Sequence, residues 1–253
     1  MAKYVYFMGG MPRSGSTLLG AILNQNKKIH VSTTSDIPDL VYESAQQTND
    51  KDWHGWMYTM LGDKYENHDY EFIVDKARAW NMFFPDLCKK EENPRMIAPI
   101  RPIKEVVASA IRLFEKNPQN LFSQFVMGQD RDQMAMSFYE FYCKSSFESI
   151  RHVIETYPDN ICVVEFDDLM HRTEKVIGDV YKFCSFPLGD KHDLGNIKVR
   201  EHEDDKIWDI KGLHDVKPKI VPPMITPENY FGKEISWFLD NADTLHQNRG
   251  IIV

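Results

Sequence analysis

The feature that most constrains this chain is a glycine-rich turn close to its N-terminus. An apolar run at 4–8, predicted to be a strand, leads directly into GGMPRSGST at 9–17, and apolar residues at helical spacing follow. Gly10 and Gly15 allow a tight turn that points successive amide N–H groups inward. The start of a helix adds a positive dipole, and hydroxyls come from Ser14, Ser16 and Thr17. An ordinary turn with a Ser/Thr cap needs fewer of these residues, so the pattern predicts an anion-binding strand–loop–helix unit.

The same loop departs from the pattern of nucleotide triphosphatases at one position. Residues 10–17 fit GxxxxGK[ST] except that Ser16 stands where the lysine belongs. That lysine normally reaches the β- and γ-phosphates of the nucleotide. Its absence argues against ATP or GTP hydrolysis, while Arg13 supplies a cation earlier in the loop. The loop therefore suits a shorter anion.

Strand-like and helical runs alternate along the chain. Predicted strands at 4–8, 71–74, 96–100 and 161–166 are followed by helical periodicity at 15–25, 102–115, 134–157 and 173–184. This alternation predicts an α/β fold, a P-loop-type three-layer sandwich whose central parallel sheet is flanked by helices. The length of 253 residues allows one large α/β domain or two small ones, and we predict a single domain over 1–253.

Three intervals fall outside this alternation. Those near 44–70 and 116–133 are predicted to be insertions, either lids and acceptor-binding segments or extra surface helices. The interval 188–253 is predicted to wrap over the sheet before a last helix near 227–246. It contains the acidic run EHEDD at 201–205, a pattern typical of a solvated face.

Composition excludes several classes of protein. The hydrophobic fraction of 42% and the charged fraction of 27% are typical of soluble globular proteins, and a net charge of −8 argues against nucleic acid as a partner. No run approaches the ~20 apolar residues of a membrane span. The first residues leave no room for a signal peptide, and four scattered cysteines without a CxxC pair favour reduced thiols. We therefore predict a cytoplasmic protein with no membrane partner.

The segment PRSGSTLL at 12–19 resembles the 5′-phosphosulfate loop of sulfotransferases that use 3′-phosphoadenosine 5′-phosphosulfate (PAPS). The resemblance is strongest to the arginine-bearing branch, which includes the tyrosylprotein sulfotransferases and bacterial and phage relatives. It implies that the 5′-phosphate and the sulfonate are held by Arg13, Ser14, Gly15, Ser16 and Thr17.

The activity implied by this resemblance is transfer of a sulfuryl group from PAPS to a hydroxyl or amine acceptor. The product nucleotide would be adenosine 3′,5′-bisphosphate (PAP), and no metal is expected because a sulfonate carries less charge than a phosphoryl group. Two alternatives on the same architecture are a small-molecule kinase and a non-catalytic nucleotide-binding protein. The kinase would need the loop lysine and an acidic magnesium ligand after a strand.

A second anion site is expected for the 3′-phosphate. In the family it consists of an arginine at the end of a strand and a serine eight residues later. Here Arg101 follows the predicted strand at 96–100, and Ser109 stands eight positions further on. The position of Arg101 also has a physical rationale, since ligands of open α/β sheets bind at the carboxyl ends of the strands.

Two more segments of the chain are similar to the family. The segment DKARAW at 75–80 looks like the segment that carries a catalytic lysine, which assigns to Lys76, with Arg13, the stabilisation of charge at the leaving oxygen. The segment GLHDVKP at 212–218 resembles one that folds over the nucleotide, which places Lys217 near it.

The general base is the part of the family pattern that this sequence lacks. In the tyrosylprotein branch a glutamate about twenty residues after the loop arginine has this role, but the count from Arg13 reaches Thr34. Asp36 is the first candidate for the base and His30 the second, since imidazole titrates near neutral pH. Asp36 could also cap a helix that begins at Ile37.

Overall fold

The structure is a computed structural model that describes residues 4–48, 53–120, 129–189 and 191–247. Within these residues, five parallel strands form one sheet in the order β2-β3-β1-β4-β5. Their bounds are β1 (Tyr4–Met8), β2 (Ile29–Thr34), β3 (Phe72–Lys76), β4 (Met96–Ile100) and β5 (Ile161–Glu165). Every residue of β3 and β4 is buried, as expected for parallel strands covered on both faces. The predicted α/β architecture is confirmed.

Helices cover both faces of the sheet. Their bounds are α1 (Ser16–Leu23), α2 (Ile37–Thr48), α3 (Trp53–Tyr65), α4 (Trp80–Lys90), α5 (Ile103–Lys116), α6 (Arg131–Phe138), α7 (Lys144–Thr156), α8 (Phe166–His171), α9 (Thr173–Cys184), α10 (Lys233–Ala242) and α11 (Thr244–Gln247). A π-helical turn, Tyr139–Cys143, joins α6 to α7. Alternate residues of β3 contribute to two separate hydrophobic cores. Ile73 packs in one core with residues of α4, α5 and α7. Phe72 and Val74 pack in the other core with residues of α1 and α9. The molecule is therefore a three-layer sandwich.

Strand β2 was absent from the sequence prediction. Only its first three residues are apolar or aromatic, and it ends in the polar run Ser32-Thr33-Thr34. The strand forms because it pairs with β3 at the edge of the sheet, and the Ser32 hydroxyl accepts a hydrogen bond of 2.9 Å from the Lys76 amide. Pairing with a distant neighbour thus decides the conformation of a segment whose own pattern is weak.

The strand order places the glycine-rich loop between two strand ends. The register aligns Met8, the last residue of β1, with Lys76 of β3 on one side and with Ile97 of β4 on the other. Beyond β1 the pairing continues, since the Met11 amide donates to the Pro99 carbonyl at 2.8 Å. The loop therefore emerges at the carboxyl ends of β3 and β4, where open α/β sheets bind ligands.

The last described helix, α11, is anchored to this same edge of the sheet by a histidine. His246 lies 2.6 Å from Asp243 through Nδ1 and 3.1 Å from Glu165, at the end of β5, through Nε2. Burial lowers the pKa of His246, but the hydrogen bonds to the two carboxylates outweigh it and raise the pKa to about 9. The imidazolium therefore holds α11 against β5 at neutral pH.

Parts of the three predicted irregular intervals lie outside the described residues. These parts are 49–52 in the first interval, 121–128 in the second, and 190 and 248–253 in the last. The described portions contain the end of α2, α3, the end of α5, and α10 and α11. In the described parts of the chain, no helix combines the length and the apolar character needed to cross a bilayer.

Candidate active site

A cavity of about 470 Å³ opens at the carboxyl ends of β1, β3 and β4. Its walls include most of the glycine-rich loop, together with Lys76, Arg101 and Ser109, and the covering segment Leu213–Ile225 closes much of one side. The volume falls within the range of pockets that bind small molecules and cofactors. The residues predicted for the two anion sites therefore face one common cavity.

The loop takes the tight conformation that its glycines allow. Gly10 and Gly15 have φ angles of 103° and 90°, in the left-handed region. A Cβ at position 10 would lie 2.5 Å from the Pro99 carbonyl oxygen, so a larger residue cannot occupy it. Gly15 caps the N-terminus of α1, so the loop delivers the amides of the first helical turn, at Ser16 and Thr17, to the cavity wall.

A buried asparagine holds the loop in place. Asn81 accepts a hydrogen bond from the Gly10 amide and donates one to the Gly10 carbonyl, both at 2.9 Å. A Cβ on Gly9 would lie 2.0 Å from the Asn81 side-chain oxygen, which explains why position 9 is also a glycine. Asn81 was not predicted from the sequence, because nothing in a single sequence links an asparagine to a loop 71 residues earlier.

Ser14 has a different role from the one predicted for its side chain. The hydroxyl donates a 2.6 Å hydrogen bond to the Met11 carbonyl, and the residue is buried behind the cavity wall. Ser16 and Thr17 line the cavity, whereas Ser14 does not. The Ser14 hydroxyl therefore braces the loop from within and is not available to a ligand.

The loop arginine points its guanidinium toward the covering segment. The backbone of Arg13 has a φ of 58°. Its Nη1 group donates a hydrogen bond to the Leu213 carbonyl, and its Nε lies 3.5 Å from the Ser109 hydroxyl oxygen. Burial lowers the pKa of Arg13 and the charge of Arg101 lowers it further, whereas Asp205 opposes both effects. An anion in the cavity would offset the cost of holding this cation beside another one.

Arg101 is the second buried cation of the cavity. Its side chain pairs with Glu105 at 3.0 Å, approaches the Arg13 carbonyl to 3.4 Å, and lies over the Phe166 ring at 4.3 Å from the centroid. Burial lowers the pKa of Arg101 and the Glu105 carboxylate opposes this. Ser109, predicted to share an anion with Arg101, contacts Arg13 instead. The hydroxyl thus lies beside the guanidinium of the loop.

Lys76 forms an ion pair with a carboxylate that the sequence analysis had assigned to a solvated face. Its ammonium group contacts Glu203, and both side chains are 7% exposed. Glu203 also accepts a 2.9 Å hydrogen bond from the Thr34 amide. Burial raises the pKa of Glu203, but Lys76 and the Thr34 amide outweigh it and hold the pKa below its usual value. The solvated-face prediction is therefore wrong for Glu203.

Neither predicted base reaches the cavity. The Asp36 side chain is 76% exposed and lies 4.0 Å from Lys64, because the chain turns away after β2 as α2 begins. Ser35, not Asp36, accepts a hydrogen bond from the Ile37 amide at the start of α2. His30 is buried, and burial lowers its pKa to about 4. Neither Asp36 nor His30 lines the cavity, so the structure does not support either residue as the base.

A histidine on the covering segment does reach the cavity. His214 lines it, and its Nδ1 lies 2.6 Å from Asp205, whose other carboxylate oxygen accepts from the His214 amide at 3.3 Å. The preceding residue, Leu213, is the one that contacts Arg13. A carboxylate on Nδ1 fixes the ring so that Nε2 is the atom left for a ligand. The sequence analysis quoted the segment but did not single out this pair.

Two lysines of the covering segment also line the cavity. Lys217 was predicted from the sequence, whereas Lys219 was not. Both residues are exposed at the mouth of the cavity. They can add positive charge near an anionic ligand without the cost of burying an ammonium group.

Comparisons with known proteins agree with this architecture. A sulfotransferase domain from the curacin biosynthetic pathway shares the fold with 14% identity and a TM-score of 0.54, covering 94% of this chain and 98% of its own. Sulfotransferase STF9 from Mycobacterium avium shares it with 12% identity and a TM-score of 0.55, covering 100% of this chain and 78% of its own. Mouse sulfotransferase SULT7A1 complexed with PAP shares it with 12% identity and a TM-score of 0.57, covering 98% of this chain and 85% of its own. No curated protein matches the chain at a significant level. The family model of the sulfotransferase domain matches residues 6–206, most of the chain. The chain therefore belongs to the sulfotransferase domain family and is a transferase.

Proposed function

We propose that this enzyme transfers the sulfuryl group of PAPS to a hydroxyl or amine acceptor and releases PAP. The observation that carries the proposal is a pair of arginines, the half-buried Arg13 and the buried Arg101, which line one cavity beside a helix-capping loop. PAPS carries anionic groups on both sides of its ribose, so it suits a cavity with two cations. Family membership supports sulfuryl transfer, and nothing in it supports the kinase alternative.

The residues of the cavity divide between the two ends of the nucleotide. The loop amides, Arg13, Ser16 and Thr17 would hold the 5′-phosphosulfate, since they surround the N-terminus of α1. Arg101 would hold the 3′-phosphate, and Ser109 lies beside the neighbouring Arg13 guanidinium. Lys217 and Lys219 would close over the nucleotide from the covering segment.

The chemical step in this proposal is an in-line displacement at sulfur. The acceptor oxygen forms a bond to sulfur while the bond from sulfur to the bridging oxygen breaks, and the electron pair of that bond stays on the 5′-phosphate of PAP. Arg13 and Lys76 would stabilise the charge that develops there, each contribution being worth about 2.7–4 kcal/mol. Both side chains line the cavity, as this role requires.

The acceptor proton needs a destination, and we assign it to His214. The imidazole lines the cavity, and Asp205 at 2.6 Å would stabilise the imidazolium that forms when Nε2 takes the proton. Glu203 is less suited to this role, because Lys76 and the Thr34 amide keep its pKa low. His214 therefore replaces the glutamate that the chain lacks at position 34.

The proposal is tested by titration calorimetry followed by a transfer assay. PAP should bind without magnesium, and ³⁵S-labelled PAPS should label at least one member of a panel of phenols, alcohols and amines. Magnesium-dependent binding of ATP with no response to PAP would contradict the proposed function. PAP binding with neither label transfer nor slow release of labelled sulfate to water would instead identify a non-catalytic nucleotide-binding protein.

A further inference from the structure

The cavity extends beyond the anion-binding residues into a region walled by aromatic rings. Phe114 of α5, Phe138 of α6 and Tyr142 of the π-helical turn line this part, which we call the aromatic wall. The Phe114 and Phe138 rings meet edge to face at 5.8 Å, and Phe138 stacks on Tyr142 at 5.3 Å. None of these rings is needed to bind phosphate or sulfonate. Flat apolar surfaces of this kind bind a ring of another molecule.

The π-helical turn explains how two rings of one helix share this wall. Phe138 and Tyr142 are four residues apart, and the wider turn that begins at Tyr139 keeps their rings nearly parallel, with 21° between the planes. Such turns inside α-helices recur at functional sites. The local distortion thus serves the shape of the cavity.

A cation stands at the end of the aromatic wall. Arg78 lines the cavity, and its guanidinium lies 5.6 Å from the centroid of the Tyr142 ring. Among the described residues, no carboxylate lies within ion-pair distance of Arg78, and Asp39 acts on it only at longer range. Arg13, Arg101 and Lys76 each have a polar partner within the protein, so Arg78 differs from these three cations.

Arg78 is also close to the reacting end of the site. It follows Lys76 by two residues, so the two Cα atoms lie at most about 7 Å apart, and both residues line the same cavity. A ring on the aromatic wall could therefore present a hydroxyl group toward Lys76 and an anionic substituent toward Arg78.

We propose that the acceptor is an aromatic hydroxy acid whose ring lies on the aromatic wall and whose carboxylate pairs with Arg78. The inference rests on the proposed function, which supplies the sulfuryl donor. A guanidinium group matches a carboxylate through two parallel hydrogen bonds, which fixes both the position and the direction of the ring. The hydroxyl at the opposite end is then held toward sulfur.

The test compares two phenols that differ only in having a carboxylate or a methyl group at the end of the same side chain. The probes are 3-(4-hydroxyphenyl)propionate and 4-propylphenol, each titrated by calorimetry into enzyme saturated with PAP. The acid should bind at least about tenfold more tightly than the phenol, since hydrogen bonds to charged groups are the stronger kind. Arg78→Met should remove this preference and leave the affinity for PAP unchanged, while Phe138→Ala should weaken both probes.

A matched variant controls for the change in net charge. Arg151→Met removes an arginine that is exposed on α7 and paired with Glu155, and it should leave the preference intact. Equal affinity of the two probes, a preference that survives Arg78→Met, or binding of neither probe would overturn the inference. The same titrations are repeated without PAP, so that failure of PAP to bind would contradict the proposed function while the preference between the two probes still decides the acceptor class.

Discussion

Replacing Lys76 with methionine should lower the rate of sulfuryl transfer at least about a hundredfold, the usual cost of removing one preorganised donor from an oxyanion site. Lys76 lies beside Met8 at the start of the phosphate loop, where register and burial fix its side chain. The rate is measured as release of PAP from PAPS, with the best acceptor of the panel or with water. Turnover that is unchanged in a folded variant would show that Lys76 does not act on the leaving group.

Stability must be separated from catalysis in this variant. Lys76→Met leaves Glu203 buried without its partner, and breaking a buried ion pair costs about 3–5 kcal/mol. The double variant Lys76→Met with Glu203→Gln should regain most of the free energy of unfolding, measured by urea denaturation, and should still be slow. Recovery of turnover together with stability would mean that the pair has only a structural role.

Replacing His214 with glutamine should lower turnover by about two orders of magnitude. Glutamine keeps a polar side chain of similar length but cannot act as a base toward the acceptor hydroxyl. Calorimetry should show that the affinity for PAP is unchanged.

The partner of this histidine gives a graded control. Asp205→Asn should lower turnover less than His214→Gln, because the base remains but its imidazolium loses the carboxylate at 2.6 Å. Turnover that is unchanged in folded His214→Gln enzyme would exclude His214 as the base.

The fold could be predicted from the sequence because its signals are local. The runs that became β1, β3, β4 and β5 are apolar over at least three residues, and the loop at 9–17 follows the first of them. Parallel strands then bring Arg101 and Lys76 to the same edge as the loop, without further information. Strand β2 was missed because half of it is polar and only pairing with β3 makes it a strand.

The remainder of the site depends on contacts between residues far apart in the sequence. Glu203 reaches Lys76 across 127 positions, and Asn81 reaches Gly10 across 71. No spacing rule connects such pairs. The acidic run at 201–205, which the sequence pattern predicts to be solvated, contains the partners of Lys76 and His214. Asp36 follows a strand end closely in the sequence but does not line the cavity. Closeness in sequence does not determine the direction in which the chain turns after the strand.

The most direct test of the account is a comparison of PAP with adenosine 5′-monophosphate, which lacks the 3′-phosphate, in wild type and in Arg101→Ala. The wild type should bind PAP at least about tenfold more tightly, as expected for a charge-assisted contact. Arg101→Ala should lose this preference and keep its affinity for the monophosphate, whereas Arg13→Ala should weaken both ligands. Equal weakening of both nucleotides by Arg101→Ala, or unchanged binding of PAP, would contradict the assignment of the two arginines to opposite ends of one nucleotide.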